Sequence, residues 1–349
     1  MNLEKKFEMI RTLTAVVISL LVGFLIILLV GREPVQTIFY FVLGPVTKFR
    51  YLGNVIELAI PLIFSGLATA LLFTSGLFNL GSEGIFYFGG LLAAIVGITL
   101  RLPSFIHPLV GILTSALAGM AVMAVIGFFK ARYNASELVI SLMFNSILYG
   151  VGLYILNYNF RDPSVSGFAS LKLQTTALLT NIIPRTRIHS GLLLALAMAG
   201  FCHVFLYHTK WGYEIRMQGL NFKFAEYAGM KPAKIILLTS LLAGALAGMG
   251  GAVEISGMYE RFRWAALPGL GFDGALIAML AKNKPLNVIG AAVFLAYIRI
   301  GADLMARMTD IPSEMIYILQ AVIILLISGR RFLENYRQRA LIREVEKNG

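Results

Sequence analysis

The 349-residue chain is 58% hydrophobic and only 14% charged, and its mean hydropathy is +0.78. An ordinary soluble domain is roughly 45–50% apolar and about 25% charged, so the composition excludes such a domain and indicates an integral membrane protein. The net charge of +12 would suit a nucleic-acid-binding protein if the chain were soluble. In a membrane protein, lysine and arginine gather in cytoplasmic loops and set the topology, so we expect no nucleic-acid partner.

Long apolar runs predict about ten membrane-spanning helices, since a span needs about 20 apolar residues. Barrel strands would give short alternating segments instead, so we expect an all-α, polytopic membrane protein. The predicted spans are residues 12–31, 53–74, 84–100, 107–129, 136–157, 188–208, 235–257, 272–281, 286–306 and 312–328. The run at 271–281 is too short to cross the bilayer alone, and it is either extended by its neighbours or only partly inserted. No connection is long enough for a soluble domain, so residues 1–349 should form a single transmembrane domain.

The distribution of basic residues predicts that both termini lie in the cytoplasm. In this orientation most of the 30 lysines and arginines fall in cytoplasmic segments, above all in the loop 209–234 and the tail 329–349. The opposite orientation would place both segments outside, against the positive-inside rule. The apolar run near the N-terminus is longer than a signal-peptide core and lacks a small-residue cleavage pattern, so we expect a retained first helix.

A polar stretch, SGLFNLGSEG at residues 75–84, separates two long apolar runs. Its three glycines are poor helix formers and predict an interruption, called the first break below. Irregular backbone at membrane depth survives only when it is buried in protein or lines a wet cavity. Glu83 is a functional candidate, because a carboxylate at that depth is costly. The alternative is a turn at the membrane surface, with Glu83 hydrated or capping the next helix.

A second break is predicted at PGLGFDGALIAML, residues 268–280. It also has a core of glycine, aromatic and polar residues, formed by Phe272, Asp273 and Gly274. Interrupted segments in corresponding halves of a membrane protein indicate a translocation path built at a repeat interface. Alternatively, Asp273 is simply the N-cap of a short helix.

Asn145, in the fifth predicted span, is a further polar candidate. Its amide can donate and accept hydrogen bonds toward a ligand. It can equally bond a neighbouring helix, which is the common role of asparagine in membranes. The sequence leaves both possibilities open.

Two other features favour packing over chemistry. The aromatic run at residues 86–88 could stack on a planar base, but an interfacial aromatic belt is the simpler interpretation. Gly244 and Gly248 form a small-xxx-small pair in the seventh predicted span, which predicts a close helix-packing face.

The sequence carries no signature of an enzyme. No glycine precedes a lysine, which excludes the P-loop that cradles ATP, and no H-E-x-x-H motif is present. The single cysteine, Cys202, and four scattered histidines form no metal-ligand pattern. We therefore expect no catalytic residue, no metal and no cofactor on this chain.

Four segments together carry a resemblance to a known family. They are GLFNLGSEG (76–84), ELVISLMFNSI (137–147), RMQGLNFKFAEYAGM (216–230) and GLGFDGALIAML (269–280). With these segments the chain resembles the membrane subunit of ABC-type nucleoside importers, and most of all the longer of two paired permease subunits. It is similar, more distantly, to ribose-type sugar permeases. The resemblance runs over nearly the whole chain, in the same order.

The resemblance implies a type II-like importer permease of about ten spans in the inner membrane of a prokaryote. It implies a second permease subunit, a paralogue, together with an extracytoplasmic substrate-binding lipoprotein and cytoplasmic ATP-binding subunits that hold ATP and Mg²⁺. In that family the loop matching 209–234 contacts the ATPase, which implies a short helix around Asn221–Met230. The residues that match the family's pattern in this coupling loop are Gly219, Asn221, Ala225, Tyr227, Ala228 and Gly229.

We therefore expect a non-enzymatic permease subunit that moves nucleosides inward, driven by ATP hydrolysed on a partner. The residues expected to line or shape the path are Phe78, Asn79, Glu83, Asn145 and Asp273. Two rival functions remain. The cargo is a pentose or hexose instead, or the chain is a self-sufficient ion-coupled carrier, which intramembrane carboxylates and paired breaks would also suit.

Overall fold

The fold is all helical in the residues that the computed structural model describes, which are 34–165, 167–184 and 186–309. These residues contain no strand, and the only extended pairings are two isolated antiparallel bridges, Arg161 with Ser170 and Asn181 with His189. The predicted all-α class is therefore confirmed for this part of the chain.

Twelve α-helices occur in the described residues. They are α1 Pro34–Val42, α2 Gly44–Thr47, α3 Phe49–Thr74, α4 Ser82–Thr99, α5 Ile106–Tyr133, α6 Glu137–Ile155, α7 Gly191–His208, α8 Lys210–Leu220, α9 Phe222–Tyr227, α10 Pro232–Met258, α11 Leu270–Leu280 and α12 Pro285–Met308. A π-helical turn, Leu156–Phe160, extends α6, and a single 3₁₀ turn, Thr175–Ala177, lies in the connection that follows.

Seven of the described helices are long and apolar enough to cross a membrane: α3, α4, α5, α6 with its π turn, α7, α10 and α12. Each coincides with a predicted span to within a few residues. The predicted first and last spans, 12–31 and 312–328, lie outside the described residues, as does the tail 329–349. The short predicted span is α11, whose 11 residues measure about 16 Å, roughly half of the hydrocarbon core.

The chain divides into two compact units. The larger is Gly53–Ala296, and the smaller combines Met1–Leu52 with Tyr297–Gly349. In the smaller unit, α1 and α2 fold within a stretch predicted only as a connection. There, a Cβ added at Gly301 would lie 2.3 Å from the carbonyl oxygen of Phe41, and the Tyr297 hydroxyl donates to the Val42 carbonyl.

Helix α10 is the centre of the larger unit because its glycines allow neighbouring helices to approach backbone to backbone. A Cβ added at Gly244 would lie 2.2 Å from the carbonyl oxygen of Gly119 in α5, and one at Gly248 would lie 2.1 Å from that of Ser115. On its other side, α4 brings Gly89 so close that an added Cβ would lie 2.6 Å from the Gly248 oxygen. The predicted close-packing role of Gly244 and Gly248 is confirmed.

The aromatic residues after the first break belong to the core. Phe86 and Tyr87 are fully buried. The ring centroid of Tyr87 is 5.4 Å from that of Phe262, and the Phe86 centroid is 5.8 Å from that of Trp264. For these two residues, both the belt and the stacking-surface interpretations are wrong, because the segment 259–268 folds back over them.

The connection after α6 is tied to that same segment. Ser170 donates its backbone N–H to the Phe262 carbonyl at 3.0 Å, and Leu173 donates to the Glu260 carbonyl at 2.9 Å. Backbone pairing of this kind satisfies groups that a loose connection would leave to water. The connection after α6 and the segment 259–268 therefore form one hydrogen-bonded surface.

An ion pair between Asp162 and Arg261 joins the two segments of this surface. Asp162 accepts hydrogen bonds from the Ser164 hydroxyl at 2.6 Å and from the Arg261 guanidinium. These hydrogen bonds lower the pKa of Asp162 to about 2, and the one from Ser164 has the largest effect. The carboxylate is therefore ionised at neutral pH.

Candidate functional site

The first break is a real interruption between two helices. Helix α3 ends at Thr74, α4 begins at Ser82, and Gly76 between them has a φ of +80°. The predicted interruption is therefore confirmed, although Glu83 and Gly84 already lie in the first turn of α4. The non-helical residues are 75–81.

A polar stripe on α6 supports the backbone of this break. Glu137, Ser141 and Asn145 recur every four residues and therefore share one helix face. Phe78 donates its N–H to Glu137 Oε1 at 3.3 Å, and Leu80 donates to Ser141 Oγ at 3.2 Å. Side chains of one helix thus replace hydrogen bonds that the interrupted helix cannot make, which membrane burial requires.

The side chains of Asn145 and Asn79 are both occupied by this structural role. Asn145 accepts from the Gly84 N–H at 2.8 Å through Oδ1 and donates to the Leu80 carbonyl at 3.0 Å through Nδ2. Asn79 accepts from the Gly81 N–H at 2.7 Å. Both amides are buried. Of the two possibilities for Asn145, the structure supports bonding within the protein.

Glu83 joins the first break to the second. Its Oε1 accepts from the Gly269 N–H at 2.6 Å, and its Oε2 accepts from the Gly271 and Phe272 N–H groups at 2.7 and 3.1 Å. These donors lie at the N-terminus of α11, where unpaired N–H groups and the helix dipole favour an anion. Glu83 is 0% exposed, so it is not hydrated as the surface-turn alternative proposed, and the helix terminus that it binds is that of α11, not that of the next helix, α4.

The contact between the two breaks is made at backbone distance. A Cβ added at Gly271 would lie 2.3 Å from Glu83 Cα, so only glycine fits there. Ser65 of α3 completes the contact by donating its hydroxyl to the Leu270 carbonyl at 2.7 Å. Helices α3, α4 and α11 therefore meet at one buried point, called the junction below.

Asp273 and Phe78 belong to the two breaks but differ in exposure. Asp273 is buried in the first turn of α11, but the N-cap of that helix is Gly269, with a φ of +79°, so the N-cap alternative for Asp273 is wrong. Phe78 is 51% exposed and stacks on Phe73, with ring centroids 5.2 Å apart. Of the five path candidates, four are buried and only Phe78 is exposed.

The loop 209–234 forms two short helices with side-chain caps. Thr209 accepts from the Gly212 N–H at the start of α8, and Asn221 accepts from the Phe224 N–H at the start of α9, both at 3.1 Å. The short helix implied by the resemblance is therefore present as α9. Among the six coupling candidates, Ala225 is fully buried, whereas Tyr227 is 89% exposed.

The end of α8 contacts the first break directly, which the sequence did not predict. Gln218 is buried and donates its amide to the Ser75 carbonyl at 3.3 Å. A Cβ added at Gly219 would lie 1.9 Å from the Thr74 carbonyl oxygen. In the sequence, Gln218 is only a polar residue in a basic loop, and its burial against the first break becomes visible only in the structure.

Two further carboxylates, Glu57 in α3 and Glu254 in α10, are also buried. Within the described residues, Glu57 Oε1 and Glu254 Oε2 accept no hydrogen bond. In the same part of the chain, no group of three histidine, cysteine or acidic residues lies close enough to hold a metal ion.

Comparison with known proteins gives matches along nearly the entire chain. The chain is 32% identical over 343 residues to the guanosine ABC transporter permease protein NupP of Bacillus subtilis (strain 168), with 97% of this chain and 96% of that protein covered. It is 28% identical over 361 residues to the glucose ABC transporter permease protein TsgB13 of Haloferax volcanii, with 97% and 94% covered. It is 28% identical over 350 residues to the nucleoside ABC transporter permease protein NupB of Lactococcus lactis subsp. cremoris, with 95% and 93% covered.

A family model agrees with these matches. The model for the branched-chain amino acid transport system / permease component matches residues 51–328. That range includes both breaks, the junction and the loop 209–234, and it agrees with the resemblance drawn from the sequence. The chain belongs to the branched-chain amino acid transport system / permease component family of membrane permeases.

Proposed function

We propose that this chain is the permease subunit of an ATP-driven importer that moves nucleosides inward across the membrane. The observation that carries the proposal is the match to a guanosine permease at 32% identity over 97% of the chain. A second nucleoside permease is similar at 28% identity. The junction is consistent with this role, because paired breaks that meet inside a membrane protein are typical of transport paths.

The proposed importer needs other polypeptides for energy and for high affinity. ATP and Mg²⁺ would bind an ATP-binding subunit, a paralogous permease would complete the path, and an extracytoplasmic lipoprotein would deliver the cargo. The assembly would lie in the inner membrane of a prokaryote, with both termini of this chain in the cytoplasm. Most lysines and arginines then fall in cytoplasmic segments.

The loop 209–234 is the proposed docking site for the ATP-binding subunit. Its two helices expose large apolar side chains, namely Trp211, Tyr213, Leu220, Phe222, Phe224 and Tyr227. An exposed patch of this kind beside basic residues is typical of a protein interface. Ala225 would act from within, by packing α9 against its neighbours, whereas the exposed candidates would contact the partner.

The junction is the proposed gate of the path. Because α11 covers about half of the bilayer core and precedes a predicted cytoplasmic turn, its N-terminus would lie near the middle of the membrane. Asn79, Glu83, Asn145 and Asp273 would shape the path by fixing the two breaks, and Phe78 would be the candidate for contact with cargo. A single transmembrane domain would carry all these elements.

Uptake by the reconstituted complex tests the proposal. Vesicles holding this chain with its permease, ATP-binding and receptor partners should accumulate labelled guanosine only when Mg-ATP reaches the ATP-binding subunit. The glucose permease relative makes labelled glucose and ribose the necessary comparison. Uptake of a sugar but not of nucleosides would overturn the cargo, and ATP-independent uptake by this chain alone under an ion gradient would overturn the class.

A further inference from the structure

We propose that residues 75–83 are a mechanical link that carries movement of the loop 209–234 to the N-terminus of α11, and that Gln218 is the residue that engages this link. The proposal rests on the proposed function, because the movement would originate at the ATP-binding subunit. It adds a route within this chain and a residue, Gln218, that docking of the loop does not require.

At the first end of the link, α8 lies against the break at backbone distance. Gly219 lies so close to the end of α3 that an added Cβ would be 1.9 Å from the Thr74 oxygen and 3.1 Å from the Gly76 nitrogen. A Cβ added at Gly76 would in turn lie 3.3 Å from Gly219 Cα. Because these backbone atoms are already in contact, α8 cannot move toward the break without displacing it.

Gln218 bonds α8 to the first break, so that movement of α8 away from the break would also displace the break. Its amide donates to the carbonyl of Ser75 at 3.3 Å, the first residue after α3. The Ser75 hydroxyl is engaged separately with the Leu72 carbonyl at 2.8 Å. Gln218 is therefore the side chain of the loop that is bonded to the first break.

The middle of the link is hydrogen-bonded to α6 along its length, so the link and α6 would move together. Glu137 holds the Phe78 N–H, Ser141 holds the Leu80 N–H, and Asn145 holds both the Leu80 carbonyl and the Gly84 N–H. Glu137 is itself ion-paired to Lys130 of α5 at 2.9 Å. A displacement at residue 75 would therefore be passed on toward Glu83, because the residues between them are held by hydrogen bonds.

The far end of the link is the Glu83 carboxylate, which holds three backbone N–H groups of residues 269–272. Chain continuity offers a competing route, in which α9 moves α10 directly and Gln218 only anchors the loop. The two routes differ in what happens at residues 269–272 when the Gln218 bond is removed.

Amide hydrogen exchange on the complete complex in vesicles separates these routes. In the unmodified protein, Mg-ATP with vanadate should change exchange in three segments together: 209–234, 75–84 and 269–272. In Gln218→Ala the change should persist in 209–234 and fall about fivefold in the other two, which corresponds to about 1 kcal/mol. Guanosine transported per ATP hydrolysed should fall by a similar factor.

Gln174→Ala is the matched control. Gln174 donates its amide to the Ile98 carbonyl at the same 3.3 Å distance. This bond is made at the end of α4 opposite to the first break, so its removal should leave all three segments responsive. Gln218→Met removes the amide but keeps the side-chain length, and we expect the same result as in Gln218→Ala. It replaces Gln218→Ala if the alanine variant folds poorly. Undiminished changes at 75–84 and 269–272 in both Gln218 variants would overturn the link. Absence of guanosine uptake by the unmodified complex would instead overturn the proposed function.

Discussion

At the scale of single residues, the carboxylate of Glu83 determines how the two breaks are joined. A buried carboxylate without partners costs several kcal/mol, and here three backbone donors compensate it. Each oxygen has its own donors, so a side chain of this length with two acceptor oxygens is required. The glycine at 271 is part of the same design, since an added Cβ would collide with Glu83.

Glu83→Gln should weaken the junction without changing its volume. One acceptor oxygen becomes an NH₂ group that faces backbone donors, so at least one buried N–H loses its partner at a cost of about 1–3 kcal/mol. We expect a lower thermal stability of the purified protein and a loss of most ATP-driven uptake. Glu260→Gln, an exposed carboxyl in a long surface ion pair, should change neither. Full uptake by Glu83→Gln would contradict a role for the carboxylate in the junction.

His189 should make stability depend on pH. It precedes α7, is fully buried and accepts from the Gly191 N–H at 3.2 Å, and burial lowers the pKa of His189 from 6.5 to about 4. Between these values the unfolded chain binds a proton that the folded chain does not. The contribution of neutral His189 to the free energy of unfolding is therefore complete above about pH 6.5. It is lost as the pH falls toward 4, and the loss is on the order of 2 kcal/mol at pH 5.

Thermal unfolding in detergent at pH 7 and pH 5 measures this effect. The unmodified protein should lose stability on acidification, and His189→Gln should lose less, because the glutamine does not titrate. His208, which is exposed at the end of α7, provides the control, and His208→Gln should keep the full pH dependence. Equal pH dependence in all three proteins would show that His189 does not titrate as expected.

At the scale of elements, hydropathy was enough to locate the long helices. A span of apolar residues is a local property, so seven predicted spans match helices of the structure. The supports of the first break were only partly visible. Glu137 and Asn145 attract attention as polar residues in an apolar run, but Ser141 between them does not, and their joint role depends on which helix packs opposite. The contact of Gln218 with Ser75 links residues far apart in the chain, which no local pattern encodes.

The end of α9 offers a test of the coupling loop. Gly229 has a φ of +79°, and an added Cβ would meet nothing within 4 Å. A substitution there acts through backbone strain of about 1–2 kcal/mol rather than through a clash. Gly229→Val should lower guanosine uptake per ATP while membrane insertion is kept, and Gly229→Asn should be milder, because asparagine tolerates this conformation. Normal coupling in Gly229→Val would count against docking of this loop.

At the scale of the whole molecule, the two breaks enter the protein from opposite ends of the helices. The first follows the end of α3 beside the loop 209–234, and the second follows α10 beside the ordered connection after α6. Glu83 is where they meet. The sequence predicted two breaks, because glycine and carboxylate are unfavourable in lipid, but it left open whether they are buried in protein, line a wet cavity or lie at the membrane surface. It did not predict their direct contact, which arises only when α3, α4 and α11 pack together.

Cysteine labelling tests the orientation that this arrangement requires. Phe105, between α4 and α5, is 86% exposed, and Tyr227, in α9, is 89% exposed, whereas the native Cys202 is buried and should react little. In intact cells, a membrane-impermeant maleimide should label Phe105→Cys at once and Tyr227→Cys only after permeabilisation. The positive-inside distribution of the 30 basic residues is the physical reason. Labelling of Tyr227→Cys from outside would reverse the topology and leave the loop 209–234 unable to reach a cytoplasmic ATPase.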